Sequence, residues 1–252
     1  MITFLSGGTG TPALIRGARQ ILYDSEIAVV ANTAENFRVS GSHAAPDIDT
    51  AVFLFAGILD TNRGWGIKGD TYATHNYLPK VAGSEPFAVG DRARAVQIAR
   101  AALLREGKTL TEAVQAQCRA LNIGATILPA TDGDATLLVD TGTECLPLFL
   151  YRMSAGTDTE VRELIRAAPE PPAVTGEVRA AIEASDAVVI GPANPASSIL
   201  PILECAGMRR LLEDPAHGAG RRDHHGQIGC LRQVGHAADT GHAVDRVVFR
   251  ID

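Results

Sequence analysis

FLSGGTGTPALIRGA, residues 4–18, sets four glycines and two threonines between a short apolar run and an apolar pattern at helical spacing. Ile2 to Leu5 reads as a buried parallel strand running into this glycine-rich turn. Pro12 suits the first turn of a helix, and Ala13, Leu14, Ile15 and Ala18 follow at helical spacing. Gly8-x-Gly10-x-x-Ala13 has the dinucleotide-fold spacing. Such glycines let the main chain approach a phosphate, and the amides at a helix start point at the anion. Gly7, Gly8, Thr9, Gly10 and Thr11 are therefore the candidate phosphate binders, with the Thr9 and Thr11 hydroxyls as further donors. No Lys-Ser/Thr pair follows, so this is not a Walker loop. A tight turn without a ligand is the plainer alternative.

Working outward, Ile27 to Ala31 (IAVVA) is a second strand, ending at Asn32-Thr33. The chain thus opens with a β-α-β unit, which implies parallel strands with helices on the faces, an α/β fold. The acid nearest the second strand is Glu35, and the strand itself ends in Asn32, so a simple NAD ribose clamp is poorly supported. Helices are expected from Pro46 through 59 and over 91–105, and Thr109-Leu-Thr-Glu112 is a capping box opening a third. Strand candidates follow at 125–128, 135–140 and 146–151. Residues 167–175 look linker-like, residues 177–184 helical, and Asp186 to Gly191 reads as a central strand.

Composition narrows the class. The 252 residues are 46% hydrophobic, which is enough for a substantial core, and no internal repeat is evident. A net charge of −6 with no basic block argues against nucleic-acid binding. No apolar run reaches the roughly 20 residues of a membrane span, and Met1 leads straight into a strand, so no secretory leader and a cytoplasmic location are expected. Cys118, Cys145, Cys205 and Cys230 are widely spaced and read as reduced packing residues. Residues 214–242 carry five of the seven histidines in a loop-like sequence; adjacent His224 and His225 favour a solvated loop over a metal site.

Four further groups carry candidate chemistry. Asp47 and Asp49 in Pro46-Asp-Ile-Asp-Thr50 could converge on a hard cation such as Mg²⁺ if they lie in a loop, or simply favour a helix start. Trp65 and Lys68 in Trp65-Gly-Ile-Lys-Gly-Asp70 could stack on and charge-balance a flat ligand, or plug the core. Arg92 in Gly90-Asp91-Arg92 could meet a phosphate or form a surface ion pair. Asn194, Ser197 and Ser198 would line a polar crevice at a strand's carboxyl end, where open α/β sheets bind ligands, or cap a βα turn. Two such crevices in one sheet favour a ligand with two ends.

In this order, SGGTGTP (6–12), VVANTAEN (29–36), VSG (39–41), PDIDT (46–50), WGIKGDT (65–71), GDR (90–92), ILPATD (127–132) and VVIGPANPASSILPIL (188–203) resemble the 2-phospho-L-lactate transferases of the CofD type. The resemblance runs from residue 2 to about 213. It implies a Rossmann-like three-layer sandwich with a mainly parallel sheet, forming one domain over 1–252. A smaller inserted helical and strand region would lie at about 60–165, and a divergent tail at 214–252. It further implies a Mg²⁺-dependent enzyme of coenzyme F-420 biosynthesis, often dimeric. Such an enzyme transfers the phospholactyl group of lactyl-2-diphospho-5'-guanosine to the deazaflavin Fo and releases GMP. By this resemblance Asp49 and Asp47 would hold the metal, Asp49 also touching Fo beside Trp65 and Lys68. Arg92 would join the catalytic group, Gly7–Thr11 and Asn32 would hold the donor phosphates, and Asn194, Ser197 and Ser198 the guanosine side. Departures from the pattern are Ala88, Ala93, Arg94 and Gln97 around the GDR segment and Leu146-Pro-Leu-Phe149 in place of a family HFQE strand. The alternatives are an enolpyruvyl or phosphoglyceryl donor, a nucleotide-sugar or dinucleotide-binding regulator, and a nicotinamide oxidoreductase.

Overall fold

The computed structural model describes residues 1–154 and 160–213. β1 (Ile2–Ser6) turns through the glycine loop into α1 (Gly10–Ala18), and β2 (Ile27–Ala31) lies parallel to β1 with Ile2 opposite Ile27. The short hairpin of β3 (Phe37–Val39) and β4 (Ser42–Ala44) closes through Ser40 (φ 44°) and Gly41 (φ 76°). Two successive left-handed residues suit a tight hairpin turn. α2 (Pro46–Phe55) starts on a proline whose missing N–H costs nothing there. α3 (Ala73–Tyr77), α4 (Asp91–Arg105) and α5 (Leu110–Ala120) follow. The capping box expected at α5 is present: Glu112 N donates to Thr109 Oγ1 at 3.1 Å and Thr109 N to Glu112 Oε2 at 2.8 Å.

β5 (Thr126–Pro129) pairs in parallel with β2. β6 (Leu137–Asp140), β7 (Cys145–Pro147), α6 (Leu148–Ser154) and β8 (Glu163–Arg166) follow, the three strands forming a small antiparallel sheet in the order β7-β6-β8. α7 (Gly176–Glu183) leads to β9 (Ala187–Ile190), and a π-turn over Pro195–Ile199 opens α8 (Leu200–Glu204) and α9 (Met208–Glu213).

The main sheet has the order β5-β2-β1-β9, all parallel. Side chains alternate across it, as strand geometry demands. Phe4, Val29 and Ile127 point to one face, under Ile15 of α1, Val52 of α2 and Val114 of α5. Leu5, Val30 and Leu128 point to the other, against Val178 and Ile182 of α7, Ile202 of α8 and Met208 of α9. Burying a residue such as Ile15 contributes about 1.5–3 kcal/mol, so each helix is fixed by a few such contacts. The layers are helix, sheet, helix, as expected.

Three expectations need correction. The stretch 60–165 is not one inserted body, because α4, α5 and β5 within it belong to the main layers. Residues 148–151 are helical rather than strand; Leu148 and Tyr151, one turn apart, both join the small cluster of Ala34, Leu137 and Val139. Among the described residues β9 is an edge strand, paired only with β1. The tail from 214, with its histidines and Cys230, lies outside the described residues. Among those described, Cys118 and Cys205 are buried thiols and Cys145 is exposed, all unpaired. No helix among them is long and apolar enough to cross a membrane.

Candidate active site at the switch point of the sheet

The chain builds the sheet outward from β1 through β2 to β5, then returns to place β9 on the other side of β1. Such a reversal is where open α/β sheets usually carry a ligand crevice, here beyond the carboxyl ends of β1 and β9. The loop after β1 and the turn after β9 meet there. A Cβ on Gly7 would lie 2.5 Å from that of Ser198, one on Gly10 would collide with the Pro192 carbonyl oxygen, and one on Gly191 with the Thr11 side chain. Glycine is needed at all three positions because backbone meets backbone or side chain without room for a methyl group. Gly8 adopts φ 60°, which bends the loop toward α2.

Asn32, buried at the end of β2, ties the crevice together. Its Nδ2 donates to Asp47 Oδ2 at 2.9 Å and to the Ser197 carbonyl at 3.3 Å, while its Oδ1 accepts from Ala34 N at 3.0 Å. Gly8 N donates to Asp47 Oδ1 at 2.7 Å. Asn194 Oδ1 accepts from Ala196 N and Ser197 N, each at 3.0 Å, and so caps the π-turn. Gly7, Gly8, Asn32, Asp47, Ser197 and Ser198 are thus one assembly of four separate chain segments. Thr11 differs from expectation: its hydroxyl is turned inward to Gly7 O at 3.2 Å, and the side chain is fully buried. Thr9 is exposed and stands beside Gly64, whose added Cβ would lie 3.3 Å from that of Thr9.

That contact brings the Trp65 loop to the edge of the glycine loop. Trp65 is 44% exposed and carries the Arg63 guanidinium 3.9 Å from its ring centroid, so it does not plug the core. Lys68 is exposed, and its carbonyl accepts from Arg92 Nη2 at 2.6 Å. Asp70 and Asp91 cap each other's neighbourhoods. Asp70 accepts from Arg92 N and Ala93 N at the start of α4, and Asp91 from Ala73 N and Thr74 N at the start of α3. Arg92 therefore braces the Trp65–Lys68 loop from behind.

Residues 2–218 match the family described as 2-phospho-L-lactate transferase CofD. The chain belongs to the CofD family. It is 43% identical over 212 residues to the 2-phospho-L-lactate transferase of Methanospirillum hungatei, covering 84% of this chain and 71% of that one. With that of Methanocorpusculum labreanum it shares 45% over 217 residues, 85% of this chain and 71% of the relative. Among solved structures, a protein of the UPF0052 family from Bacillus halodurans superposes with a TM-score of 0.58 at 16% identity, over 84% of this chain and 65% of that one, which speaks for the fold alone.

Within the CofD fold, the two carboxylates of PDIDT do not converge. They lie in the first turn of α2, and positions two apart on a helix face nearly opposite ways. Asp47 turns to the crevice, whereas Asp49 turns inward to an ion pair with Arg100 and accepts from Gln97 Nε2 and Ala45 N, each at 3.3 Å. Arg100 is itself fully buried, its Nε on Gln117 Oε1 and its Nη1 on the His43 carbonyl, each at 3.1 Å. Among the described residues no three His, Cys, Asp or Glu side chains are grouped to hold a metal ion.

Sequence reasoning weighed Glu35 only as a ribose clamp and missed Arg152, which the fold brings to it. Arg152 of α6 donates through Nη1 to both Glu35 oxygens, at 2.9 and 2.8 Å, and through Nη2 to Ser197 Oγ at 2.6 Å. The place of Glu35 just past the end of β2 was its signal; Arg152 gave no local signal. Burial, which outweighs Arg152 and is reinforced by Asp47, pushes the Glu35 carboxyl up to about 7. Burial also raises Asp47 above the ordinary carboxylate value, against the hydrogen bonds from Asn32 and Gly8 and the charge of Arg152. Carboxylates perturbed by burial beside a charge partner, at a sheet's switch point, make this a candidate functional site.

Proposed function

We propose that this CofD-family chain is a 2-phospho-L-lactate transferase that moves the 2-phospholactyl group of lactyl-2-diphospho-5'-guanosine to the deazaflavin Fo, giving coenzyme F-420-0 and GMP. The observation that carries this reading is the meeting of the Gly7–Thr11 loop and the Asn194–Ser198 turn at one switch point. A donor with a diphosphate between two dissimilar ends needs adjacent polar loops of that kind. The names of the relatives support the transferred group. The diphosphate is assigned to the first-turn amides of α1, the guanosine end to the Asn194–Ser198 turn, and Fo to the Trp65–Lys68 loop.

In this reading the ribityl hydroxyl oxygen of Fo forms the new P–O bond as the anhydride bond to the GMP phosphate breaks. The hydroxyl proton passes to water. Attack is in line, with no covalent enzyme intermediate, so positioning and charge stabilisation supply the catalysis. Mg²⁺ typically takes one or two carboxylates together with substrate phosphates. Asp47 fits that pattern, since its Oδ1 meets Gly8 N of the glycine loop and its Oδ2 meets the Asn32 amide beside it, and Asp49 does not, since Arg100 holds it. When bound, Mg²⁺ would supply charge neutralisation to the donor's phosphates. Arg92 fixes the Fo-side loop through the Lys68 carbonyl. A cytoplasmic homodimer is part of the same proposal.

The test incubates purified protein with Fo, Mg²⁺ and the lactyl, enolpyruvyl or phosphoglyceryl diphosphoguanosine in turn. Mass spectrometry should find the acylphospho-deazaflavin and GMP with the lactyl donor. No product with any donor would overturn the reading, and an enzyme species carrying the phospholactyl group would overturn direct transfer.

A further inference from the structure

α6 is docked on the crevice by three contacts on one side. Leu148 is buried against Ala34, Leu137 and Val139. Phe149 stacks on Phe37, centroids 3.9 Å apart and planes 16° from parallel. One turn further along, at the three-residue spacing that shares a helix face, Arg152 reaches Glu35 and Ser197. The packing at Leu148 and Phe149 fixes the helix and so the point from which the Arg152 side chain reaches the crevice. Its side chain is 40% exposed, whereas that of Glu35 is 11% exposed. The cation therefore faces the opening and the carboxylate stands behind it.

Asp47 and Glu35 both lie within the field of Arg152, so it is the cation that two crevice carboxylates share. A polyanionic donor bound beside these acids would need a counter-charge, and Arg152 is the more exposed member of its pair. A guanidinium fork matches a carboxylate or phosphate edge, and in the ligand-free chain that edge is supplied by Glu35. The Ser197 hydroxyl belongs to the capped π-turn after β9, so the fork is held at the same turn that the donor is assigned to. We infer that Arg152 and the Ser197 hydroxyl form an anion subsite that Glu35 occupies as a place-holder and that the donor's acyl carboxylate or a phosphate oxygen takes over. Its assignment to the donor rests on the transferase reading.

The experiment measures binding by calorimetry, without Fo, of inorganic pyrophosphate, GDP and the intact lactyl donor to wild type, Arg152→Gln, Arg152→Lys and Glu35→Gln. Losing a charge-assisted hydrogen-bonded contact should weaken the occupying ligand at least about tenfold in Arg152→Gln, with partial recovery in Arg152→Lys. Freeing Arg152 from its internal partner should tighten the ligand in Glu35→Gln, about three- to tenfold. This opposite sign is what a merely structural ion pair would not produce. If only the intact donor responds, Arg152 takes the acyl carboxylate; if GDP and pyrophosphate respond equally, it takes a phosphate. Arg152-dependent pyrophosphate binding without any uptake of guanosine compounds would sustain the subsite and sink the donor reading. Normal binding of all ligands by the variants, or weaker binding in Glu35→Gln, would overturn the subsite while leaving the transferase reading intact. Wild type that binds none of the three overturns both.

Discussion

Asp49→Asn removes one charge from an ion pair whose other member, Arg100, is fully buried, while Asp49 itself is only 7% exposed on its side chain. The asparagine can still accept one hydrogen bond, but the guanidinium is left without a counter-charge in a site closed by Gln117, the His43 carbonyl and the helices around them. Breaking a buried pair from one side costs about 3–5 kcal/mol. For a chain of this size each kcal/mol lowers the melting temperature by about 2–4 °C, so a fall of roughly 6–20 °C is expected. Calorimetric melting of wild type, Asp49→Asn, Arg100→Met and the double variant Asp49→Leu/Arg100→Met reads this directly. The double variant should recover most of the loss, because an apolar pair of similar volume avoids the unpaired charge. A single variant melting within about 1 °C of wild type, or a double variant no better than the singles, would refute the reasoning. The consequence for assays is practical: lost turnover in Asp49→Asn reports catalysis only after the folded fraction is known.

Asp47→Asn should behave oppositely, staying within about 1 kcal/mol of wild type in urea unfolding because one of its two hydrogen bonds survives, while product formation from Fo and donor falls by at least about a hundredfold. Gly10→Ala should push the glycine loop off the Pro192 carbonyl, costing about 1–3 kcal/mol and weakening GDP binding measured by calorimetry. Burial, with the Arg100 charge adding to it, lowers His43 from 6.5 to about 4. The unfolded chain therefore takes up this proton first. Stability from this group is complete above about 6.5 and is lost as the pH falls toward 4, so urea midpoints at pH 7.5 and 5 should differ less in His43→Gln.

Much of the fold was legible because its signals are local. β1 and β2 are apolar on both faces, as strands sandwiched by helices must be, and Thr109 and Glu112 carry both halves of a capping box. α6 was misread because Leu146 to Tyr151 is apolar under either period; only the shared cluster of Leu148 and Tyr151 selects the helix. β9 looked central because Ala-Val-Val-Ile is uniformly apolar, yet within the described residues it has one partner. In the site, the glycines and Asn194 were readable because a turn announces itself in sequence. The fates of Asp47 and Asp49 were not, since the same two letters serve a loop that converges and a helix that diverges. Glu35 and Arg152, 117 positions apart, are joined only by the docking of α6.

The two crevice loops meet at Gly7, Gly10 and Gly191, where bare main chain lies against Ser198, the Pro192 carbonyl and the Thr11 side chain. A methyl group at any of the three would wedge the loops apart. The segments around the seam, the hairpin, the tryptophan loop and the arginine helix, are where side chains can be exchanged without touching it. An engineer seeking a different acyl or nucleoside preference would therefore leave the seam alone and randomise the rim.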